Sequence, residues 1–195
     1  MDTEHHDDAS EMNQQSHERK MYLRFAAMIF TGMVVMYWVM FVGSWEWSHI
    51  QFSQSRVFMA LTMGGAMGIV MLAWMLNMYK NVRANLIVIA ASLLLLIGGA
   101  FLDRSQITVD DIAFMRGMIP HHSLAITRSE RANIDDVRVC ELAAEISAAQ
   151  RWEIAEMEWQ INDIQENGVA STAEEAAARP VPDFSDSADR QCPTD

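Results

Sequence analysis

The chain has 195 residues, 51% of them hydrophobic, and carries a net charge of −12. The acidic excess leaves no broad basic surface for a phosphate backbone, so we expect no nucleic-acid partner. The average composition would suit an acidic soluble protein, but the apolar residues are strongly segregated along the chain.

Three long runs in the first half contain no charged residue, namely 25–45, 57–79 and 84–102. Each is close to the roughly 20 residues with which a helix crosses the hydrocarbon core of a bilayer. Backbone groups in lipid must form hydrogen bonds within the protein, so helices are the economical structure for such runs. We predict transmembrane helices at about 22–43, 57–79 and 84–102, in contact with the lipid bilayer. The first run follows a polar segment and lacks a small-residue cleavage site, so we expect it to remain as an anchor.

The positions of Lys and Arg near the ends of these runs predict the orientation. One side would hold only Arg56 and Arg104, whereas the other holds Arg19, Lys20, Arg24, Lys80 and Arg83. The side with more positive charge is usually cytoplasmic. We therefore expect a multi-pass protein of the bacterial inner membrane, with a cytoplasmic N-terminus and with everything after residue 102 in the periplasm.

Two polar segments lie at the ends of the chain. Residues 1–20 are expected to form a disordered tail, whose histidines either bind metal weakly or are simply solvated; they are His5, His6 and His17. Residues 168–195 contain almost no large apolar side chain and are predicted to form a disordered acidic tail. An oxidising compartment would permit a disulfide between Cys140 and Cys192, but the position of Cys192 in this tail argues against a functional one.

Residues 103–167 are predicted to form an exposed domain of two helices. The first helix should run from about 109 to 132 and the second from about 135 to 165, with an acidic N-cap in the turn and Asn167–Gly168 as the stop signal. Two helices give a thin core, and domains this small seldom supply enough stability alone. The hairpin should therefore form a homodimeric four-helix bundle or dock on the membrane part, and we favour the homodimer.

Ionisable side chains fall on the apolar faces of both helices. At roughly 100° per residue, His122 lies in the middle of the first apolar stripe, flanked by Met115 and Met118. Glu153 lies inside the second stripe, near Met157. An ionisable group in a core is costly unless it is paired, so His122 and Glu153 are the simplest partners of each other or of a metal ion. His121, on a different side of the helix, would serve a neighbouring site or subunit.

These donors favour a soft metal ion. Thioether and imidazole ligands suit Cu(I) or Ag(I), and imidazole with carboxylate would also hold Cu(II). Zinc is less favoured, because thiolates and a closed set of four ligands are missing. A di-iron centre needs two Glu-x-x-His motifs on helices, and the sequence has one, Glu46–His49, in a loop. We therefore expect no enzymatic activity. The predicted metal ligands are His122, His121, Met118, Met115, Met157 and Glu153.

A second group of methionines lies in the predicted second span. They recur every four residues, at Met59, Met63, Met67, Met71 and Met75, beside the small residues Ala60, Gly64 and Gly68. The row either packs against a neighbouring helix, where Met is an adaptable filler, or forms a thioether ladder that passes or senses a soft ion.

Residues 110–161 carry the pattern Asp-x-x-x-Phe-Met-x-x-Met-Ile-Pro-His-His and, further on, Gln150-x-x-Glu153-Ile-x-x-Met157. This pattern resembles the domain of unknown function 305 family, and the apolar spans resemble its subgroup with three transmembrane helices. The resemblance implies a ferritin-like helical domain with no established enzymatic activity and, in some members, periplasmic binding of copper or silver. The motif of this family falls on the six predicted metal ligands and on Gln150. Where many members have a further methionine, this chain has Arg128, which removes one thioether.

The sequence thus predicts an all-α protein, with a three-helix transmembrane part followed by a helical hairpin that forms half of a ferritin-like four-helix bundle. Its predicted function is membrane-anchored handling of copper or silver, with a metal transporter or metallochaperone as a partner. The alternative is a non-catalytic structural module that dimerises through the hairpin and binds no physiological metal.

Overall fold

The computed structural model describes residues 2–185 and 188–193, with side chains from residue 14 onward. All regular structure in these residues is helical, as the sequence predicts. Three long apolar helices come first, α1 (Asp2–Val39), α2 (Gln54–Trp74) and α3 (Val82–Ser105). They are followed by α4 (Asp111–Arg131), α5 (Val137–Asn167) and the short α6 (Ala173–Ala178). A 3₁₀ turn at Trp47–His49 lies in the loop between α1 and α2.

The first three helices are each long and apolar enough to cross a membrane. The apolar part of α1 lies within Gln14–Val39. The helix itself starts at Asp2, so the expectation of a disordered N-terminal tail is wrong for the backbone. Adding residues to an existing helix avoids the cost of nucleation, so the helix can continue back through this polar segment. The side chains of His5 and His6 lie outside the described residues, and His17 is exposed.

The apolar helices form one compact unit with close backbone contacts. α1 and α2 meet at a cluster in which Phe25, Ile29, Leu72 and Tyr79 are buried. Methionines of α1 and of the row along α2 pack around this cluster, namely Met21, Met33, Met67, Met71 and Met75. Met59 and Met63, at the start of the row, are exposed. The inner part of the methionine row therefore faces a neighbouring helix, which is the arrangement expected for packing.

Gly65 sets the distance between α2 and α3. A Cβ atom at this position would lie 2.5 Å from both Ser92 O and Leu96 N of α3. Only a residue without a side chain permits such an approach, as is common where membrane helices pack through small residues.

α4 and α5 form the predicted hairpin in a second unit. Asp110 and Asp136 accept hydrogen bonds from backbone N–H groups in the first turns of α4 and α5, which stabilises both helix starts. α5 ends at Asn167 and is capped by Gly168, which adopts a φ of 81°. The core between the two helices is formed by Met115, Ile119, Ile126, Ile154 and Ile161.

The loop between α1 and α2 belongs to this second unit, which comprises Met40–Arg56 and the chain from Ile107 onward. Trp45 packs against the hairpin core, with the guanidinium groups of Arg131 and Arg151 5.3 and 5.2 Å from its ring centroid. Its backbone N–H donates to Ser123 Oγ over 2.7 Å, and His49 Nδ1 lies 2.9 Å from the same oxygen. The Glu46–His49 motif therefore helps to attach a loop to α4.

The prediction of a disordered tail after Gly168 is wrong, because a disulfide joins Cys192 to Cys140 in α5. The Arg190 guanidinium donates to the carbonyl oxygens of Ser129, Glu130 and Ala132 at the end of α4, over 2.6, 3.0 and 2.6 Å. The cross-link and these hydrogen bonds replace the apolar burial that the tail lacks. The Cys140–Cys192 bond is therefore present in the structure, although the position of Cys192 argued against a functional one.

Candidate metal centre

A cleft of 710 Å³ lies between α4, α5 and the C-terminal segment. α4 contributes Met115, Met118 and His122 to its lining, and α5 contributes Glu153 and Met157. These are five of the six residues predicted from the sequence, and the helical period brings them together from two facing stripes. His121 is exposed and is not part of the lining, although its ring centroid lies 5.9 Å from that of His122.

The central contact joins the imidazole of His122 to the carboxylate of Glu153. His122 Nδ1 lies 3.1 Å from Glu153 Oε2, and the side chains are 13% and 35% exposed. The separation is that of an ion pair, but the direction does not fit a hydrogen bond, so Nδ1 is a buried nitrogen without a hydrogen-bond partner among the described residues. The carboxylate also accepts a hydrogen bond from Gln150 Nε2 over 3.2 Å.

The pKa of His122 is lowered from its ordinary value of 6.5. Burial is the largest cause, since it disfavours the charged imidazolium. The negative charge of Glu153 acts in the opposite direction, and His121 adds a smaller lowering. His122 is therefore neutral over a wider pH range than an exposed histidine, which leaves a lone pair available for a ligand.

The cleft also contains residues that the helical periodicity did not single out. Its walls include the aromatic side chains of Phe114, Trp152 and Trp159, and the carboxylates of Asp111 and Glu156. Phe114 and Trp152 are more than a third exposed, so their position near the site could not be inferred from burial patterns.

One wall of the cleft comes from the segment that was expected to be disordered. Its contribution consists of Val169, Ala170, Ala176, Arg179 and Val181. Arg179 pairs with Asp163 of α5 at 2.5 Å and donates to Gly168 O over 3.2 Å. The low apolar content of this segment gave no signal that it would contribute to the site.

The donor set decides what this arrangement can bind. Within the described part of the chain, no three His, Cys, Asp or Glu side chains converge as they would at a zinc or di-iron centre. The cleft instead brings one imidazole and three thioethers together, with the carboxylate of Glu153 beside the imidazole. Thioethers are poor ligands for hard ions and good ones for Cu(I) or Ag(I). The residues present therefore fit a soft metal ion.

The sequence of this chain is similar to those of known proteins. Residues 111–191 match the family described as Domain of unknown function (DUF305). The chain is also 35% identical over 102 residues to the uncharacterized protein L153 of Acanthamoeba polyphaga mimivirus. That match covers 51% of this chain, which spans 65% of the length of the relative. No solved structure matches the chain.

Proposed function

Since the domain formed by α4, α5 and the C-terminal segment belongs to the DUF305 family, we propose that it gives this chain the role of a membrane-anchored binding protein for Cu(I) or Ag(I). His122, Met118 and Met115 would be the primary ligands. Met157 would complete the set, and Glu153 would orient His122 or provide a countercharge for the bound ion.

The observation that carries this proposal is the position of His122 Nδ1, which is buried 3.1 Å from Glu153 Oε2 but makes no hydrogen bond to a described residue. A buried nitrogen without a hydrogen-bond partner costs free energy, and here it lies in a cleft lined by three thioethers. A soft cation would remove that cost by accepting the lone pair. Thioethers need no deprotonation, and both cysteines are in a disulfide, so no thiol would compete for the ion.

Two features support an extracytoplasmic location for this domain. Disulfides persist in oxidising compartments such as the periplasm, and the domain contains one. In addition, the loop Met40–Arg56 and the segment from Ile107 onward pack in the same unit. The two apolar helices α2 and α3 separate them in the chain, and two crossings return a chain to the side on which it started. We propose the inner membrane of a bacterium, with the N-terminus in the cytoplasm and a metal transporter or metallochaperone exchanging ions with the cleft.

A dimeric structural module is the second candidate, and one observation favours it. Val139, Leu142 and Ile146 form an apolar stripe on α5, with exposed fractions of 47%, 54% and 38%. A second copy packed on this stripe would complete a four-helix bundle. In that case His122 and Glu153 would be a polar pair that fixes the packing register rather than a metal site.

Titration of the full-length protein in detergent with Ag(I), against a competing ligand of known affinity, tests the metal proposal. We expect one tight site per chain. His122→Ala should weaken binding by about 100-fold, since removing one primary ligand costs roughly 3 kcal/mol, equivalent to two factors of ten. His121→Ala, which changes the adjacent exposed histidine, is the matched control and should retain most of the affinity.

A second variant removes the sulfur atoms and keeps the side-chain volume. Met115, Met118 and Met157 replaced together by Leu should preserve the fold, because such exchanges cost little, and should abolish tight binding. Unchanged affinity in both the His122→Ala protein and the triple Leu protein would refute the metal proposal. Sedimentation of the same samples would then show whether a dimer forms and whether Leu142→Glu disrupts it, as the structural alternative requires.

A further inference from the structure

The cleft between α4, α5 and the C-terminal segment is larger than a metal site requires. Its volume is 710 Å³. A metal ion held by its ligands fills only a small part of such a space, whereas sites for small organic molecules span roughly 300–1,000 Å³. The wall from the C-terminal segment is held in place by a capping box of Thr172 and Glu175 at the start of α6 and by the ion pair of Arg179 with Asp163. The cleft is therefore preformed, with the volume of a site for an organic ligand.

α5 presents two different groups of side chains to the cleft. At roughly 100° per residue, Met157 lies about 40° to one side of Glu153 around the helix axis. Trp152, Glu156 and Trp159 lie about 60–120° to the other side. The first two residues belong to the predicted metal site. The other three, hereafter the aromatic strip, combine two indole rings with a carboxylate and include no predicted metal ligand.

The aromatic strip extends beyond the cleft. Trp152 and Glu156 also line a second cavity, which has a volume of 590 Å³. Phe184, Glu145 and Asp183 contribute to this cavity. Aromatic rings and carboxylates thus occur together in both cavities, and Trp152 and Glu156 lie where the two meet.

The charge of the cleft favours a cationic ligand. Four carboxylates line the cleft, against one guanidinium. That guanidinium belongs to Arg179 and is already paired with Asp163. The ion pairs among the described residues leave Asp111 and Glu156 without a cationic partner. The cleft therefore combines an excess of negative charge with apolar and aromatic walls.

We propose that the aromatic strip and the wall of the C-terminal segment bind a small organic cation, an amine that carries an aromatic or bulky aliphatic group. Its ammonium group pairs with Glu156, and Asp111 of α4 supplies a second negative charge. Its apolar group packs against Trp152 and Trp159. Cations are attracted to the faces of indole rings, and the attraction is stronger where water is excluded. An organic anion would be repelled by the excess of carboxylates, and an uncharged ligand would cover these carboxylates without a countercharge.

Calorimetry of the full-length protein in detergent, freed of metal by a chelator, tests the proposal. The probes are three compounds of similar size, 2-phenylethylammonium, 2-phenylethanol and phenylacetate. The ammonium compound should bind saturably with a Kd below about 1 mM and at least about tenfold more tightly than the alcohol, and phenylacetate should not bind. Absence of saturable binding, or equal affinities for the ammonium compound and the alcohol, would overturn the proposal. Because no metal is present, the result is independent of the proposed metal function.

A single change of charge tests the role of Glu156. Glu156→Gln keeps the size of the side chain and an oxygen that can accept the hydrogen bond from Gln160. It should weaken binding of 2-phenylethylammonium by at least about tenfold and leave binding of 2-phenylethanol nearly unchanged. Glu158→Gln is the matched control, because Glu158 lies on the other side of α5 and lines a different cavity. If both variants bound the ammonium compound equally tightly, Glu156 would not hold the cation and the proposal would be refuted.

Discussion

Ser123 offers a sharp test of how the loop between α1 and α2 is attached to the hairpin. The side chain is completely buried and directly follows His122 in α4. Its oxygen accepts the N–H of Trp45, so its own proton is free to be donated to Nδ1 of His49. Ser123→Ala removes one oxygen atom and leaves both loop groups without this partner.

The cost of this substitution follows from the two groups that it strands. An unsatisfied buried donor or acceptor costs about 1–3 kcal/mol. His49 is buried, with 8% exposure, whereas the Trp45 N–H is partly buried and lies at the low end of that range. We therefore expect Ser123→Ala to lower the free energy of unfolding of the domain by about 2–4 kcal/mol.

Thr127→Ala is the matched control. Thr127 lies one turn further along α4, and its hydroxyl donates to the carbonyl oxygen of Ser123, within the same helix. Removing that hydroxyl strands no buried group and should cost less than about 0.5 kcal/mol. Urea unfolding in detergent, followed by tryptophan fluorescence and circular dichroism, measures both variants. If Ser123→Ala cost no more than Thr127→Ala, the loop would not depend on this oxygen and the argument would be refuted.

Three further outcomes are expected. Because the pKa of His122 is lowered in the folded protein, the unfolded chain binds the proton more readily. The free energy of unfolding of the metal-free protein should be constant above pH 6.5 and decrease as pH falls below that ordinary value. The His122→Gln protein should lose part of this pH dependence. If its pH profile were the same as that of the wild type, the argument from burial of His122 would be refuted. Cys192→Ser opens a loop with a sequence separation of 52 and should cost up to about 4 kcal/mol in urea unfolding; a loss below about 1 kcal/mol would mean that the cross-link does not constrain the chain. Gly65→Ala forces α2 and α3 apart and should cost roughly 1–3 kcal/mol in thermal unfolding, whereas Gly98→Ala, whose Cβ would meet nothing within 4 Å, should be neutral.

Local patterns were sufficient to predict most of the helices. The charge-free runs predict the three apolar helices because lipid permits few other structures. The turn between α4 and α5 was predicted from Asp136, and the end of α5 from Gly168, since helix caps depend on residues within one turn. The pairing of His122 with Glu153 followed from helical periodicity on two facing stripes. The direction of the imidazole nitrogen did not follow, because it depends on side-chain rotations that sequence spacing does not specify.

The sequence did not reveal the contacts between residues that lie far apart in the chain. Trp45 packs on the hairpin and donates to a residue 78 positions away, a contact that no local pattern indicates. The ordered tail depends on a disulfide across 52 positions, and its own composition gives no apolar signal. The predicted ligands of α4 and α5, apart from His121, line one cleft, whereas the wall that the tail supplies was not predicted.

The attachment of the loop Met40–Arg56 to the hairpin has a consequence for biosynthesis. This piece of the folded domain emerges from the ribosome before α2, and its binding surface on α4 emerges only after α3. Trp45 and His49 must therefore wait, unpaired, while two apolar helices are made and inserted. Completion of the domain thus requires that α2 and α3, which separate the loop from α4 in the chain, leave both pieces on the same side of the membrane.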